Sequence, residues 1–242
     1  ARCGHSPSLA RTVFAQASHL SWLGKHLSAP LVTFHIRRPI DAILTVVSDA
    51  PLATTTTATT HVDVSFDVEQ RRSDEAVFGT GMMVWDLAIV LVDVLQRWCD
   101  MAETGEEQLP RGRRRFSELR ILELGAGTAV PGLAAAAMGA AATLTDLPEV
   151  LPMVRSNAAK LEEGLRAASG GLPAANVRVA ELSWGRQQAR ALLASHATTD
   201  DSRPSFDLIV VCECVVPLIF PMEPLVEALD ELVWPPYRPL VA

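Results

Sequence analysis

Apolar and polar residues alternate strictly along residues 61–69. The apolar positions are Val62, Val64, Phe66 and Val68. A period of two is typical of a strand with one buried face, so we predict a half-buried strand here. Upstream, residues 31–35 and 43–47 are short β-type runs, and residues 8–27 could form a helix. Residues 54–60 consist of Thr and Ala without a core-facing pattern, which predicts a loop.

After this strand, the pattern becomes an alternation of helix-like and strand-like segments. Strands are predicted at residues 119–124, 142–145, 177–182 and 206–211, and helices at residues 84–98, 131–138, 148–165, 187–195 and 224–232. Continuously apolar strands that alternate with helices predict a Rossmann-like, doubly wound α/β fold with a mostly parallel sheet. Leu240 and Val241 begin a further strand and the given sequence stops there, so we expect a sheet that is truncated in its fifth strand.

Charge divides the chain into two parts. Residues 1–40 contain five Lys or Arg and no acid; because the whole chain carries −7, the other 202 residues carry −12. We therefore predict a partly ordered N-terminal extension over residues 1–60 and one α/β domain over residues 61–242. The acidic body argues against binding to a nucleic-acid backbone. The basic start has the composition of a transit peptide, with an ordinary extension as the favoured reading.

Composition excludes other classes of protein. A hydrophobic content of 49% excludes a disordered chain, and four Cys are too few for a disulfide scaffold of this length. No apolar run reaches the length of a membrane-spanning helix, so no membrane association is expected. The first residue is Ala1 rather than Met, which together with the missing strands suggests a partial sequence.

The strongest chemical signal is a strand that runs into a glycine turn and then a helix. The turn is Gly125-Ala126-Gly127, and the next glycine is Gly132, a spacing that differs from the G-x-G-x-x-G of dinucleotide-binding proteins. Free backbone N–H groups and a positive helix end are expected at this turn. Glu123, just before the turn, would repel a pyrophosphate but suits a ligand with an ammonium group, such as S-adenosylmethionine.

A second acid follows the next predicted strand. Asp146 comes 23 residues after Glu123, at the end of the strand predicted at residues 142–145. A carboxylate at that position can accept hydrogen bonds from both hydroxyl groups of a ribose. The alternative is a residue that caps the following helix. Together with the glycine turn, the pattern favours the ribose interpretation.

Five segments together resemble the seven-β-strand protein-lysine methyltransferases, of the methyltransferase-like 21 type. These segments are ELGAGTAVPG at 123–132, LTDLPEVL at 144–151, GMMVWDLA at 81–88, LSWG at 182–185 and FDLIVVCECVV at 206–216. That family includes enzymes that modify elongation factors, chaperones and the valosin-containing AAA ATPase. The resemblance covers about residues 61–242 and implies a class I methyltransferase fold.

The resemblance implies an S-adenosylmethionine-dependent enzyme that transfers a methyl group to a side-chain amine, that of lysine, in a protein substrate. It implies a cofactor site made of Trp85, Glu123, Gly125, Ala126, Gly127, Asp146, Trp184 and Cys212, with Glu213 as the catalytic residue that places the acceptor. In that site Trp85 would line the pocket, Trp184 would flank the adenine, and Cys212 would lie beneath the cofactor. Packing in the core is the alternative for both Trp residues.

One departure from the family pattern leaves alternatives open. The family has an aromatic residue three positions after the acid at 213, and Val216 stands there in this chain. A non-catalytic cofactor-binding module and a small-molecule methyltransferase therefore remain as alternatives, and an NAD-dependent oxidoreductase is a distant one. The acceptor protein, the choice of Lys or Arg and the degree of methylation are not determined by the sequence.

The remaining expectations concern metal and cellular context. Cys212 and Cys214 form a C-x-C pair, but two further ligands at a suitable spacing are missing, so no metal is expected. Reduced thiols indicate a reducing compartment, and we predict a cytoplasmic monomer, with organelle targeting by the basic N-terminal stretch as the alternative. The Arg-rich stretch at residues 111–115 is predicted to be a solvated loop.

Overall fold

The computed structural model describes most of the chain. It covers residues 31–46, 54–71, 79–105, 109–113, 115–168, 172–196, 206–214 and 222–233. The helix predicted at residues 8–27, the strand predicted at 240–241, and Val216 lie outside the described residues.

The described residues form strands and helices in the predicted alternation. The strands are β1 (Leu31–Val46), β2 (Thr54–Glu69), β3 (Arg120–Leu124), β4 (Ala141–Asp146), β5 (Val177–Glu181) and β6 (Leu208–Val211). The helices are α1 (Asp86–Thr104), α2 (Val130–Ala137), α3 (Leu151–Ala167), α4 (Arg186–Ser195) and α5 (Met222–Leu232). Short 3₁₀ turns lie at Gly79–Met82, Pro110–Gly112 and Phe116–Glu118. From residue 79 onward, the strands and helices predicted within the described residues are confirmed.

An antiparallel hairpin precedes the α/β part. β1 and β2 pair along their whole length, and the strand predicted from the alternation at residues 61–69 is confirmed as the second half of β2. The run predicted at 31–35 and residues 43–46 of the run predicted at 43–47 belong to one continuous strand, β1. Residue 47 lies outside the described residues. The loop predicted at 54–60 is wrong, because these residues form the first half of β2. Thr is β-branched and favours strands, and here it finds a partner strand in β1.

The four later strands form one parallel sheet in the order β5-β4-β3-β6. Successive strands lie outward from β3 to β5, and the chain then returns to place β6 on the other side of β3. The strand order therefore reverses between β3 and β6. Ligands of open α/β sheets bind outside the carboxyl ends of the strands at such a reversal. The predicted Rossmann-like α/β fold is confirmed, whereas a seven-strand count stays a prediction.

Side chains of β3 alternate between two cores, one on each face of the sheet. Ile121 belongs to a core that also contains residues of α1, α2, α3 and the hairpin. Leu122 and Leu124 belong to a second core with residues of α4 and α5. Each fully buried aliphatic side chain of this kind contributes about 1.5–3 kcal/mol to stability. Helices thus cover both faces, as the continuous apolar strands predicted.

The hairpin is packed into the first of these cores. Phe34 and Ile36 of β1 and Phe66 of β2 are buried there. Gly164 of α3 lies directly against the backbone carbonyl of Ser65, where a Cβ atom would collide with the oxygen. Phe34 and Ile36 of β1 therefore pack with the α/β part. The domain boundary predicted after residue 60 stays a prediction.

The Arg-rich stretch is only partly solvated. Arg113 donates to both carboxylate oxygens of Asp207, at 3.1 and 3.2 Å, and the Asp207 side chain is 1% exposed. Asp207 also accepts a hydrogen bond from the Arg120 backbone N–H at 2.9 Å. The predicted solvated loop is therefore wrong at Arg113, because this cation pairs with a buried acid just before β6.

No helix among the described residues combines the length and the apolar character that crossing a membrane requires.

Candidate functional site

The glycine turn after β3 adopts a backbone conformation that glycine favours. Gly125 and Gly127 have φ values of 63° and 56°, in the left-handed region. A Cβ atom on Gly125 would lie 2.7 Å from the Cys214 sulfur and 3.2 Å from Cζ2 of Trp184. A Cβ atom on Gly127 would collide with the carbonyl oxygen of Gly81. The turn therefore allows the segment after β6, the segment before α4 and the segment before α1 to approach the same short piece of backbone.

Asp146 closes the turn from the neighbouring strand. Its Oδ2 accepts a hydrogen bond from the Gly127 N–H at 2.7 Å, and its Oδ1 accepts one from the Leu147 N–H at 2.7 Å. The Ala126 N–H donates to the Thr145 carbonyl at 2.9 Å, a second tie between the turn and β4. Burial raises the pKa of Asp146, while the two backbone donors oppose that rise. Gly127 and Asp146, both predicted site residues, are thus brought together, and the Asp146 carboxylate lies at the carboxyl edge of the sheet.

Glu123 lies beneath helix α2 rather than in an open cleft. It is 1% exposed, and its Oε2 accepts a hydrogen bond from the Gly132 N–H in the first turn of α2 at 2.9 Å. Gly132 permits this contact, because a Cβ atom there would lie 2.5 Å from the same oxygen. Burial and the nearby Asp146 raise the pKa of Glu123 to about 8, although the hydrogen bond from the Gly132 N–H opposes the rise. The observed role is to support the helix that begins at the glycine turn; the predicted contact with an ammonium group stays a prediction.

Trp184 and Cys214 face Gly125, whereas Cys212 packs on the other side of β6. Trp184 packs against the core that contains Leu122 and Leu124, and Cys212 against the core that contains Ile121. The Cys214 thiol donates to the Leu124 carbonyl at 3.1 Å. The cofactor contact predicted for Cys212 stays a prediction. The cysteine that borders Gly125 is Cys214, which the C-x-C pattern had also marked.

The thiols of this region are not activated. Burial raises the pKa of Cys212 and of Cys214 to about 12, with the Glu123 carboxyl adding to the rise. Cys99, Cys212 and Cys214 are free cysteines. Among the described residues, no group of three or more His, Cys, Asp or Glu could hold a metal ion.

Glu213 lies at the carboxyl end of β6 and faces the start of α1. The backbone N–H groups of Leu87 and Ala88 donate hydrogen bonds to its carboxylate. Partial burial and the neighbouring Asp86 raise the pKa of Glu213, and the two backbone donors oppose that rise. Its φ is 53°, a left-handed conformation that costs a residue with a side chain on the order of 1 kcal/mol. Trp85 is the N-cap residue of α1 and is 37% exposed.

Sequence reasoning also missed a buried amide behind the turn. Asn157 of α3 is 0% exposed, and its side-chain NH₂ donates to the Thr128 carbonyl at 3.1 Å and to the Glu69 carbonyl at 3.0 Å. Its side-chain oxygen accepts from the Glu69 N–H at 2.7 Å. The signal was present, since Asn157 lies between the apolar Val154 and Leu161 on the buried face of α3. It connects the end of β2 to the residues that follow the glycine turn.

Comparison with known proteins places this arrangement in a family. A family model described as lysine methyltransferase matches residues 67–240, which is 174 of the 242 residues. A human protein named putative methyltransferase-like protein 21E pseudogene is 29% identical over 164 residues, covering 68% of this chain and 51% of that protein. The zebrafish (Danio rerio) protein N-lysine methyltransferase METTL21A is 34% identical over 108 residues, covering 44% of this chain and 39% of that protein.

A third relative matches a segment of similar length at similar identity. The mouse (Mus musculus) EEF1A lysine methyltransferase 3 is 35% identical over 111 residues, covering 46% of this chain and 38% of that protein. The chain thus spans about half or less of the length of these curated relatives. The resemblance inferred from the sequence motifs is confirmed. Because the family model matches most of its residues, the chain belongs to the lysine methyltransferase family.

Proposed function

We propose that this protein is an S-adenosylmethionine-dependent protein-lysine N-methyltransferase. The observation that carries the proposal is the glycine turn at 125–127, tied to Asp146 where the strand order of a parallel sheet reverses. Membership in the lysine methyltransferase family implies S-adenosylmethionine as the methyl donor. The names of the relatives, N-lysine methyltransferase and EEF1A lysine methyltransferase, support a protein side-chain amine as the acceptor.

The residues of the turn fit the predicted cofactor. The Trp184 indole lies next to Gly125, and a Cβ atom on residue 125 would lie 3.2 Å from its ring. This supports a flat indole surface beside backbone that carries no side chain. An indole face suits a purine or a sulfonium cation. Each carboxylate oxygen of Asp146 accepts one backbone hydrogen bond and keeps a second lone pair, so both can accept from ribose hydroxyls. Ala126, between the two glycines, is 7% exposed, and the motif resemblance supports its place in the cofactor site.

The other predicted cofactor residues lie around this turn. Glu123 is ionised less readily than an ordinary carboxyl, and a nearby ammonium group would favour its charged form and lower its pKa. Cys212 lies close enough to the Glu123 carboxyl for that charge to raise its own pKa. Trp85 begins α1, next to the backbone groups that bind Glu213. The position of Trp85 supports it as a wall of the cofactor site. For Glu123, which lies beneath α2, and Cys212, which packs against the core that contains Ile121, the motif resemblance supports the proposed cofactor role.

The proposed acceptor chemistry uses Glu213. S-adenosylmethionine supplies, when bound, a methyl group on a sulfonium centre. The chain has to hold a neutral amine in line with that group and keep water away, since alignment and desolvation provide most of the rate. The raised pKa of Glu213 makes its carboxylate a better proton acceptor than a fully solvated one, which supports a role in holding the amine or taking its proton.

Cofactor binding and methyl transfer are measured in two steps. Isothermal titration should show binding of S-adenosylmethionine to the unmodified chain, and Asp146→Ala should weaken it at least about tenfold, because it removes a charged hydrogen-bond acceptor. Glu163→Ala, at an exposed position of α3, is the matched control and should bind like the unmodified chain. Absence of binding by the unmodified chain would contradict the proposal.

The second step identifies the acceptor. Mass spectrometry of a cell lysate, incubated with the chain and isotopically labelled cofactor, should detect labelled methyl groups on Lys side chains of proteins. Cofactor binding without any transfer would favour the non-catalytic module. Label in small metabolites alone would favour a small-molecule methyltransferase.

The proposal includes the cellular context and the wider architecture. It comprises a cytoplasmic monomer that binds neither nucleic acid nor membranes, a sheet of seven strands, and an N-terminal extension over residues 1–60 before a methyltransferase domain over residues 61–242. The net charge of −7 supports the absence of general affinity for a nucleic-acid backbone. The motif resemblance supports the strand count.

A further inference from the structure

The end of β6 holds two different parts of the proposed cofactor site. Cys214 lies against the glycine turn, since its thiol donates to the Leu124 carbonyl at 3.1 Å and its sulfur borders Gly125. The preceding residue, Glu213, turns the other way and accepts hydrogen bonds from the backbone N–H groups of Leu87 and Ala88. Two neighbouring residues thus connect the turn after β3 to the start of α1.

The start of α1 has a particular need for such a partner. The first N–H groups of a helix have no acceptor within the helix, and an anion there is also favoured by the helix dipole. Here the N-cap residue is Trp85, whose side chain makes no capping hydrogen bond. Leu87 and Ala88 occupy the second and third helical positions, whose N–H groups a capping side chain would normally accept. The Ala88 N–H also donates to the Trp85 carbonyl at 3.1 Å. Glu213 therefore adds, from a distant part of the chain, a side-chain acceptor for the Leu87 N–H and a second acceptor for the Ala88 N–H.

The backbone of Glu213 is committed to this contact. Its φ of 53° is a conformation that residues with a Cβ atom rarely adopt. Such a conformation persists only when the surroundings determine it, and it directs attention to what the residue holds. The segment just before Trp85 is fixed as well, because the Gly81 carbonyl packs against Gly127. Trp85 is consequently held between a contact with the glycine turn on one side and the Glu213 contact on the other.

We infer that Glu213 is a positioning residue, which binds the N-terminus of α1 and thereby holds Trp85 at the cofactor side of the glycine turn. This inference rests on the proposed function and goes beyond it, because it assigns Glu213 an effect on cofactor affinity that is separate from any contact with the acceptor amine. The role of Glu213 at the methyl-accepting amine needs the negative charge. The positioning role needs an oxygen that accepts hydrogen bonds at the same place.

Two substitutions at Glu213 separate these roles. Glu213→Gly removes the carboxylate, and glycine tolerates the left-handed backbone, so the fold is kept. Glu213→Gln removes the charge but keeps a side-chain oxygen of similar reach. Glu163→Ala, on the exposed side of α3, is the control for loss of a surface carboxylate. Each variant of the full chain is measured by amide hydrogen exchange at Leu87 and Ala88 and by titration with S-adenosylmethionine.

Glu213→Gly should lose both the protection of the α1 amides from exchange and the tight binding of S-adenosylmethionine. We expect faster exchange at Leu87, and a smaller change at Ala88, whose N–H keeps the Trp85 carbonyl as an acceptor. We also expect a dissociation constant for S-adenosylmethionine raised about tenfold, which corresponds to about 1.4 kcal/mol and is typical of a lost helix cap. Glu213→Gln should exchange like the unmodified chain at these amides and bind the cofactor within about threefold of it. The control should match the unmodified chain in both measurements.

Three results would overturn the inference: unchanged exchange in Glu213→Gly, unchanged affinity in that variant, or a Glu213→Gln variant as weak as the glycine variant. The last result would mean that charge, rather than the contact with α1, controls affinity. Failure of the proposed function has a different signature, because the unmodified chain itself would then bind no S-adenosylmethionine.

Discussion

The strand order reverses between β3 and β6. On the two sides of this reversal, the polar contacts join residues at very different separations along the chain. On the β3–α2–β4 side, the polar ties are local: Gly132 to Glu123 and Gly127 to Asp146 join residues 9 and 19 positions apart. On the β6 side, Asp207 meets Arg113 across 94 positions, and Cys214 meets the Leu124 carbonyl across 90. The first side is therefore one supersecondary unit that carries its own support. The second depends on elements that only the complete fold brings near.

The largest expected effect breaks the β6 side at its buried ion pair. Arg113→Ala should lower the free energy of unfolding by about 3–5 kcal/mol, because it leaves the Asp207 carboxylate buried without its cation. Arg97→Ala removes an exposed i,i+4 pair with Asp93 and should cost only about 0.3–0.5 kcal/mol. Urea unfolding of both variants tests this. Equal losses would mean that the long-range tie contributes no more than a surface pair.

The next effect breaks the glycine-turn side. Gly127→Ala should lower the free energy of unfolding by about 3 kcal/mol, since the new Cβ atom meets the Gly81 carbonyl and the left-handed backbone becomes strained. Gly105→Ala is the matched control: its φ is 77° with nothing within 4 Å, so only strain of about 1 kcal/mol applies. Thermal and urea unfolding compare the two. If Gly105→Ala lowered the free energy of unfolding as much as Gly127→Ala, the clash with the Gly81 carbonyl would not be the reason for the loss.

The smallest effect concerns pH and the support beneath α2. The pKa of Glu123 is raised from 4.5 to about 8 in the folded chain, so the folded state binds the extra proton between these values. The associated stability is fully present below about pH 4.5 and is lost as the pH rises to about 8.

Glu123→Gln should therefore be less sensitive to pH than the unmodified chain. We expect the unmodified chain to lose on the order of 2 kcal/mol more than the variant between pH 5 and pH 9. Urea unfolding across this range measures the difference, and the Glu163→Gln variant controls for a surface carboxyl. Parallel pH profiles for Glu123→Gln and the unmodified chain would show that Glu123 is ionised in the fold at neutral pH.

The glycine-turn side could be predicted from the sequence because its signals are local. An apolar strand, two glycines and an acid after the next strand all lie within residues 119–146, and the structure ties Asp146 to Gly127 there. Asn157 was missed because a single polar residue on an apolar helix face has no period of its own. Its acceptors are the carbonyls of Glu69 in β2 and of Thr128, just after the turn.

Predictions failed where the partner is far along the chain. The stretch at 54–60 has no hydrophobic alternation, and only its pairing with β1 makes it a strand. Arg113 belongs to a run of like charges that ordinarily indicates solvent, and its partner Asp207 is distant in sequence. The acceptor role predicted for Glu213 from its motif stays a prediction. Its contact with α1 was not predicted, because it depends on how the end of β6 and the start of α1 meet.

The sequence by itself determined the α/β alternation, the glycine turn and the identity of the acids around it, because strand and helix periods and turn residues act over a few positions. The tertiary structure decided what each acid touches. Glu123 went beneath α2, Asp146 closed the turn, and Glu213 met the start of α1. The physical reason is that a buried carboxylate must find hydrogen-bond donors, and the donors it finds depend on which backbone ends the packing of distant elements brings within reach.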